Sequence, residues 1–243
     1  MEDFSRTDIF DTKGVEYLFV IGYLLFLIIF WNVVKNPGKI GKQIKEVIST
    51  LSASILRIPQ GVFFSRQHTW THLGESGAAK VGLDDFLQHI TGKVKFTYLK
   101  NPGEMINKGD LLTEIDQYGK RLQVYSPISG KILDTNSLPN ENPESLNEDP
   151  YNKAWIYKIK PSNWVKETNS YFLAQEATDW SAKELERFKD FLTGGPLRKY
   201  SSEPSMVLLQ DGGEIRENIL SELPNEVWEN FQEEFLNFNR SED

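Results

Sequence analysis

The chain contains no cysteine, which excludes disulfide bonds, thiol catalysis, and zinc or iron–sulfur sites built from thiolates. Histidine is nearly as scarce, because His68, His72 and His89 are the only three, too few for a histidine-rich metal site. A formal net charge of −8 argues against a general nucleic-acid binder. The sequence also lacks a Walker-type loop and a dinucleotide-binding fingerprint. These absences predict a protein that is not an enzyme and needs no cofactor.

One long apolar run stands near the start of the chain. Residues 17–34 read YLFVIGYLLFLIIFWNVV, with Asn32 their only strongly polar residue. About 20 apolar residues span the hydrocarbon layer of a bilayer as a helix, so this run predicts a transmembrane helix after a tail of residues 1–16. The tail is acidic and no small-residue cleavage site follows, which favours a retained anchor over a cleaved signal peptide. A buried helix is the remaining alternative.

Basic residues are unevenly distributed around this run. Only Arg6 and Lys13 precede it. Four lysines follow it: Lys35, Lys39, Lys42 and Lys45. The positive-inside rule then places everything after the run on the cytoplasmic side. Residues 35–57 are predicted to form a juxtamembrane helix or linker, because their apolar residues recur at helical spacing. That helix lies on anionic lipid or packs on a partner, and the pattern leaves both open.

Residues 58–192 have the texture of a small β domain. Short apolar-alternating runs are separated by Gly, Pro, Asn and Asp, which predicts a sandwich or barrel of short strands. The strand candidates are residues 94–99, 111–115, 122–125, 131–133 and 155–159. A short helix is predicted around residues 83–87, with the Asp84 carboxylate near its positive end. A longer helix is predicted for residues 173–192, with Ser181 as a plausible cap for a second segment.

Residues 58–164 resemble the glycine cleavage system H protein, a lipoyl carrier. The motifs that carry the resemblance are His68-Thr69-Trp70, Val81 to Phe86, Gly103 to Asp110, Ser126 to Gly130, and Asn142 to Tyr151 continuing to Trp155 and Lys158 to Pro161. The resemblance implies a mainly β hybrid barrel-sandwich, of the kind that carries lipoyl or biotinyl groups. It also implies a protruding hairpin on which one lysine is lipoylated. The arm on that lysine carries an aminomethyl group between enzymes, while the H protein performs no catalysis.

The expected hairpin reads EIDQYGKRLQVYSPISG, residues 114–130. A gapless count back from Pro127 places the family's lysine on Gly119, with Lys120 next to it. A shift of one residue along a strand turns a side chain to the opposite face, so the count predicts that the carrier lysine is missing. Gly119 then supplies a positive φ for a tight turn, and Lys120 and Arg121 are solvated turn residues. The alternative is a one-residue realignment of the turn, which makes Lys120 the lipoyl site.

Two further features carry predictions. His68 is expected to be a structural histidine rather than a catalytic one, since no nucleophile or metal-ligand spacing accompanies it. Residues 193–243 form an acidic helical extension with an aromatic stripe at helical spacing, in which Trp228, Phe231 and Phe235 are the candidate interaction residues. This stripe inserts into the groove of a partner, or it folds back onto the chain's own β domain.

Together these features predict a non-lipoylated structural or interaction subunit of a membrane-associated complex. It is anchored by a single transmembrane helix, its β domain lies in the cytoplasm, and its partners are the membrane and other proteins rather than nucleic acid. The alternative function is a tethered lipoyl carrier that uses Lys120.

Overall fold

The computed structural model describes residues 9–35, 50–143, 149–194, 209–210 and 214–238. The chain divides into two compact units, residues 1–49 and residues 50–243. Most of the predicted juxtamembrane segment, with Lys39, Lys42 and Lys45, lies outside the described residues.

The described residues of the first unit form helix α1, Ile9–Lys35. Its apolar side chains are exposed where they are described, as with Phe19 at 75% and Ile28 at 65%. Among the residues that the structure describes, no helix is both long and apolar enough to cross a membrane. The transmembrane helix at residues 17–34 stays a prediction.

The second unit is built from short antiparallel strands. In chain order they are β1 Thr50–Leu51, β2 Phe63–Phe64, β3 Thr69–Leu73, β4 Ala79–Leu83, β5 Lys95–Tyr98, β6 Met105–Ile106, β7 Leu111–Gln117, β8 Lys120–Tyr125, β9 Gly130–Thr135, β10 Tyr157–Pro161, β11 Phe172–Leu173, β12 Leu209–Gln210 and β13 Glu214–Arg216. One sheet has seven strands in the order β11-β2-β3-β4-β10-β9-β6, and two sheets have three strands, β5-β7-β8 and β1-β13-β12. The mainly β fold class predicted from the sequence is confirmed.

Helices flank these sheets. In chain order they are α2 Asp85–Thr91, α3 Leu138–Glu141, α4 Trp164–Thr168, α5 Ala174–Thr193, α6 Ile219–Glu222 and α7 Asn225–Phe231, and a π-helical turn, Gln232–Leu236, continues α7. The Asp84 side chain caps α2 by accepting a hydrogen bond from the Leu87 backbone N–H at 2.8 Å. The prediction of a second segment starting at Ser181 is wrong, because α5 runs through this residue without a break and buries it.

The core lies between the sheets and the helices. On β8, and on β7 from Thr113 onward, buried residues alternate with more exposed ones. Leu112 is buried as well, at the register irregularity between Leu111 and Thr113, and Leu112, Ile115, Leu122 and Val124 are each at most 4% exposed. Helix α5 buries a stripe at helical spacing that includes Leu185, Phe188 and Leu192, while its other face is charged. One continuous apolar cluster joins these strands and α5 to the C-terminal residues 215–236. The C-terminal extension is thus part of the same core.

Candidate functional site

The β7–β8 hairpin ends in a two-residue loop. Gln117 pairs with Lys120 across the strands, so Tyr118 and Gly119 form the tip. Both have positive φ, +54° and +85°, the pattern of a type I′ turn. A side chain built on Gly119 would meet no atom within 4 Å, so this position projects into open space. The position to which the family's lysine was assigned therefore sits at an accessible tip but carries no amine.

Lys120, the other candidate, points into the protein surface rather than into solvent. Its ammonium donates hydrogen bonds to the backbone carbonyls of Ser221 and Leu223, both at 2.7 Å. It also lies 5.8 Å from the centre of the Trp228 ring, within cation–π range. Partial burial lowers the pKa of this amine below its usual value. The prediction that Lys120 is an ordinary solvated turn residue is wrong, because its partners lie about a hundred residues further along the chain.

The other strand of the hairpin, β7, is held by a similar pair of hydrogen bonds. The Gln117 side-chain amide donates to the backbone carbonyls of Thr91, at 2.8 Å, and Lys93, at 2.9 Å. Thr91 is the last residue of α2, and Leu223 is the C-cap of α6. The two residues on either side of the tip therefore each donate to carbonyls at the C-terminal end of a helix, where donors satisfy acceptors that lack intrahelical partners.

The aromatic stripe of the C-terminal extension is buried in the chain's own core. Trp228 and Phe231 are 0% exposed and Phe235 is 2% exposed. The Phe231 ring stacks on Phe235 at 4.7 Å and meets Phe188 of α5 edge to face at 5.7 Å. The indole N–H of Trp228 donates to the Leu220 carbonyl at 2.7 Å. These three side chains pack against the β domain and α5, so they offer no surface to a partner, and their assignment as interaction residues does not fit the structure.

On each free edge of the β5-β7-β8 sheet, one side-chain amide binds the backbone of one edge residue. On β5, Asn140 accepts from the Phe96 N–H at 2.7 Å and donates to the Phe96 carbonyl at 2.9 Å. On β8, Gln232 accepts from the Gln123 N–H at 2.7 Å, and its amide lies 3.4 Å from the Gln123 carbonyl. An edge strand presents unpaired backbone groups to any passing strand. Each amide occupies one such pair of groups.

His68 lies at the centre of a buried polar cluster. Its Nδ1 is 2.7 Å from the Asp84 carboxylate, and its Nε2 is 3.6 Å from that of Glu184, which also binds Arg187 at 2.9 Å. Burial alone lowers the pKa of His68, but the two carboxylates outweigh it and raise the pKa to about 9. The ring also packs between Phe86 and Trp180. His68 is thus a charged, paired residue of the core rather than an accessible acid or base.

His89 forms a second ion pair, between α2 and the C-terminal extension. Its imidazole lies 3.5 Å from the Asp85 carboxylate and 3.3 Å from that of Glu217. The backbone N–H of Asn218 donates to the His89 carbonyl at 2.7 Å. Burial lowers the pKa of His89, and the hydrogen bonds and charges of Asp85 and Glu217 raise it to about 9.

An open cleft of about 430 Å³ lies along α5. Its lining combines three cations, Arg66, Lys183 and Arg187, with three carboxylates, Glu176, Asp179 and Glu184. This balance of charges selects no class of ligand. Within the described residues, no group of three or more His, Asp or Glu side chains is placed to hold a metal ion.

Reasoning from sequence placed Gln117 and Tyr118 in the hairpin, but it assigned no role to them or to Gln232. The partners of the two glutamines are distant in the chain, so no local pattern marks them. Tyr118 had a usable signal, because a residue before Gly in a two-residue hairpin loop must adopt positive φ and is normally Asn, Asp or Gly.

Comparison with known proteins shows that the chain matches one protein family. The family model described as glycine cleavage H-protein matches residues 62–184, just over half of the 243 residues. A probable glycine cleavage system H protein of Pyrococcus furiosus is 36% identical over 111 residues, which are 46% of this chain and 82% of the relative. One from Picrophilus torridus is 37% identical over 107 residues, 44% of this chain and 85% of the relative.

A crystal structure of a glycine cleavage system H protein from Mycobacterium marinum is also similar, at 22% identity and a TM-score of 0.45. The similarity covers 51% of this chain and 98% of that one. The family match includes the hairpin, α2 and Asn140, and it ends before the extension that holds Lys120 and carries Gln232.

Proposed function

We propose that this chain, which belongs to the glycine cleavage H-protein family, uses the family's fold as a binding subunit that carries no lipoyl group. The observation that carries the proposal is the state of the hairpin. The tip position that projects into open space is Gly119, and the neighbouring amine of Lys120 is bonded to two backbone carbonyls. A carrier needs an exposed amine that a modifying enzyme can reach and an arm that swings freely.

The chemistry of acylation works against Lys120. Formation of an amide bond to a lipoyl carboxyl group would remove the positive charge of Nζ and leave it a single N–H. An ammonium has three donors and can serve both carbonyls, whereas an amide N–H cannot. The carbonyls of Ser221 and Leu223 would then compete for one donor, and the cation–π contact with Trp228 would be lost. Lipoylation would therefore require α6 and the hairpin to separate.

Intact-mass spectrometry of the full chain, purified from its own cells, tests the proposal. We expect the unmodified mass and no signal from an antibody against protein-bound lipoate. A matched sample of a lipoylated H protein handled in parallel shows that the arm survives purification. A lipoyl adduct that peptide mapping assigns to Lys120 would overturn the proposal.

The second candidate is a lipoyl carrier of the glycine cleavage type, with Lys120 as its attachment site. The names of the similar proteins favour it, because they are glycine cleavage system H proteins. In that case the extension must release Lys120 before modification. The Lys120→Arg variant discriminates, because arginine keeps a cation near the two carbonyls and cannot be lipoylated. Full function in Lys120→Arg would exclude the carrier role.

The proposed setting is a membrane-associated complex of proteins, with the β domain on the cytoplasmic side. Its support is the apolar run at residues 17–34, the lysines that follow it, and the exposure of apolar side chains along α1. The full chain should then sediment with membranes and resist alkaline carbonate extraction, whereas a chain that lacks residues 1–35 should not sediment. Protease added outside intact cells should leave the β domain uncut, and its cleavage would reverse the proposed orientation.

A further inference from the structure

The tip of the β7–β8 hairpin carries a large aromatic residue in a conformation that does not suit it. Tyr118 has φ +54°, in the left-handed region, and its side chain is 91% exposed. In a type I′ loop, Asn, Asp or Gly occupies this position with less strain. An exposed ring also gains nothing from burial in the fold. Neither the turn nor the core explains the choice of tyrosine here.

The strands beneath this ring are held on both sides. Gln117 donates to the carbonyls of Thr91 and Lys93, and Lys120 donates to those of Ser221 and Leu223. Four hydrogen bonds thus fix the two residues next to the tip against the ends of two helices. The tip needs little ordering when it meets another surface, so binding through it would lose little conformational entropy.

The charges near the tip indicate whether it binds a protein surface or a membrane. Arg121 lies 3.8 Å from the Glu114 carboxylate and 3.5 Å from that of Asp116. The exposed Lys95 on β5 stands opposite Asp116, so the charges of Lys95 and Arg121 balance those of the two carboxylates on this face. A face without net positive charge does not attract an anionic lipid surface. Tyrosine and arginine are residue types that concentrate binding energy in protein interfaces. A protein surface therefore fits this tip better than a membrane does.

We propose that Tyr118 is the residue by which this chain docks onto a protein partner. The partner presents an apolar pocket that takes the Tyr118 ring, with a polar group at its base for the phenol. The proposal rests on the proposed function as a binding subunit, and it names the contact through which binding occurs. Gly119, next to Tyr118 at the tip, has no side chain and lets the partner approach the backbone closely.

The first step of the test identifies the partner in the cells where the protein occurs. The full chain carries a photoreactive benzoylphenylalanine at position 118 and, in a matched control, at Val165, which is 80% exposed on α4. We expect irradiation to join position 118, but not position 165, to one other protein. Cross-links from position 118 only to lipid, only to a second copy of the chain, or to nothing would each overturn the proposal.

The second step measures binding of that purified partner to full-length variants by calorimetry. Tyr118→Asn should weaken binding roughly tenfold or more, the loss expected of a central anchor, while its melting temperature should not fall because asparagine suits the turn. Tyr118→Phe should keep most of the affinity, and Val165→Asn should keep all of it. Unchanged affinity in Tyr118→Asn would overturn the docking proposal.

The two proposals fail in different ways. A lipoyl adduct on Lys120 in the mass spectrum overturns the binding-subunit function, whatever the variants at position 118 do. An unmodified Lys120 together with full partner affinity in Tyr118→Asn overturns only the docking site.

Discussion

The two strands of the β7–β8 hairpin are held by similar hydrogen bonds to two different parts of the chain. One part lies inside the segment that matches the family, and the other lies beyond it. Gln117 binds carbonyls at the end of α2, inside the segment that matches the family. Lys120 binds carbonyls at the end of α6, in the extension beyond that segment. The sheet edges repeat the difference, with Asn140 on β5 and Gln232 on β8. The extension supplies on one side the kind of contact that the family domain supplies on the other.

This comparison implies that the extension is a structural part of the domain. The largest effect is therefore expected from substitutions in the shared core. Phe231 of the extension is 0% exposed and Phe96 of the family segment is 2% exposed. Truncation of a buried phenylalanine costs about 3–5 kcal/mol. We expect Phe231→Ala and Phe96→Ala to lower the free energy of unfolding of the full chain by similar amounts, as measured by denaturant titration. A loss below about 1 kcal/mol for Phe231→Ala alone would show that the extension is an appendage.

Local sequence patterns predicted the family segment much better than they predicted the extension. Alternation and turn residues placed β5, β7, β8 and β9 within a few residues of their observed bounds, and Asp84 caps its helix as expected. Helical spacing also predicted the aromatic stripe of the extension. The surface that the stripe covers was not predictable, because Gln123 and Gln232 or Lys120 and Ser221 are about a hundred residues apart. Such pairs leave no periodic signal in a single sequence.

The ion pair of His89, which joins α2 to the extension, should make the stability of the chain depend on pH. The pKa of His89 is raised to about 9 in the folded protein, so its stabilising effect is fully present below pH 6.5 and lost as pH rises through 9. The contribution is up to about 3 kcal/mol. We expect His89→Gln, which cannot ionise, to flatten the fall of the melting temperature between pH 6.5 and 9.5.

His68 serves as the internal reference for that experiment. Its pKa is also raised to about 9, but by Asp84 and Glu184, which both lie in the family segment. The part of the pH dependence that remains in His89→Gln should come from His68. If His89→Gln keeps the entire pH dependence, the pair with Glu217 contributes nothing to holding the extension.

The two side chains that hold the hairpin, the Lys120 amine and the Gln117 amide, give a smaller effect. In Lys120→Met the carbonyls of Ser221 and Leu223 lose their donor, which should destabilise the chain by about 1–3 kcal/mol. Gln117→Met should cost less, since Gln117 Oε1 is buried and has no hydrogen-bond partner among the described residues, so its removal offsets part of the loss. Thermal unfolding of the two variants compares the two sides. Equal stability of Lys120→Met and the unaltered chain would contradict the structural role of Lys120 and favour a free, modifiable amine.

The smallest effect is expected at the sheet edges, where the two amides differ in fit. Asn140 makes both bonds to Phe96 at normal lengths, 2.7 and 2.9 Å, whereas Gln232 makes one good bond to Gln123 and a second at 3.4 Å. A net hydrogen bond contributes about 0.5–1.5 kcal/mol, so Asn140→Leu should destabilise the chain more than Gln232→Leu. Each substitution also opens backbone groups on a sheet edge, so both variants should show concentration-dependent association in light scattering. If Gln232→Leu stays monomeric and Asn140→Leu associates, the extension does not protect its edge as the family segment protects the other.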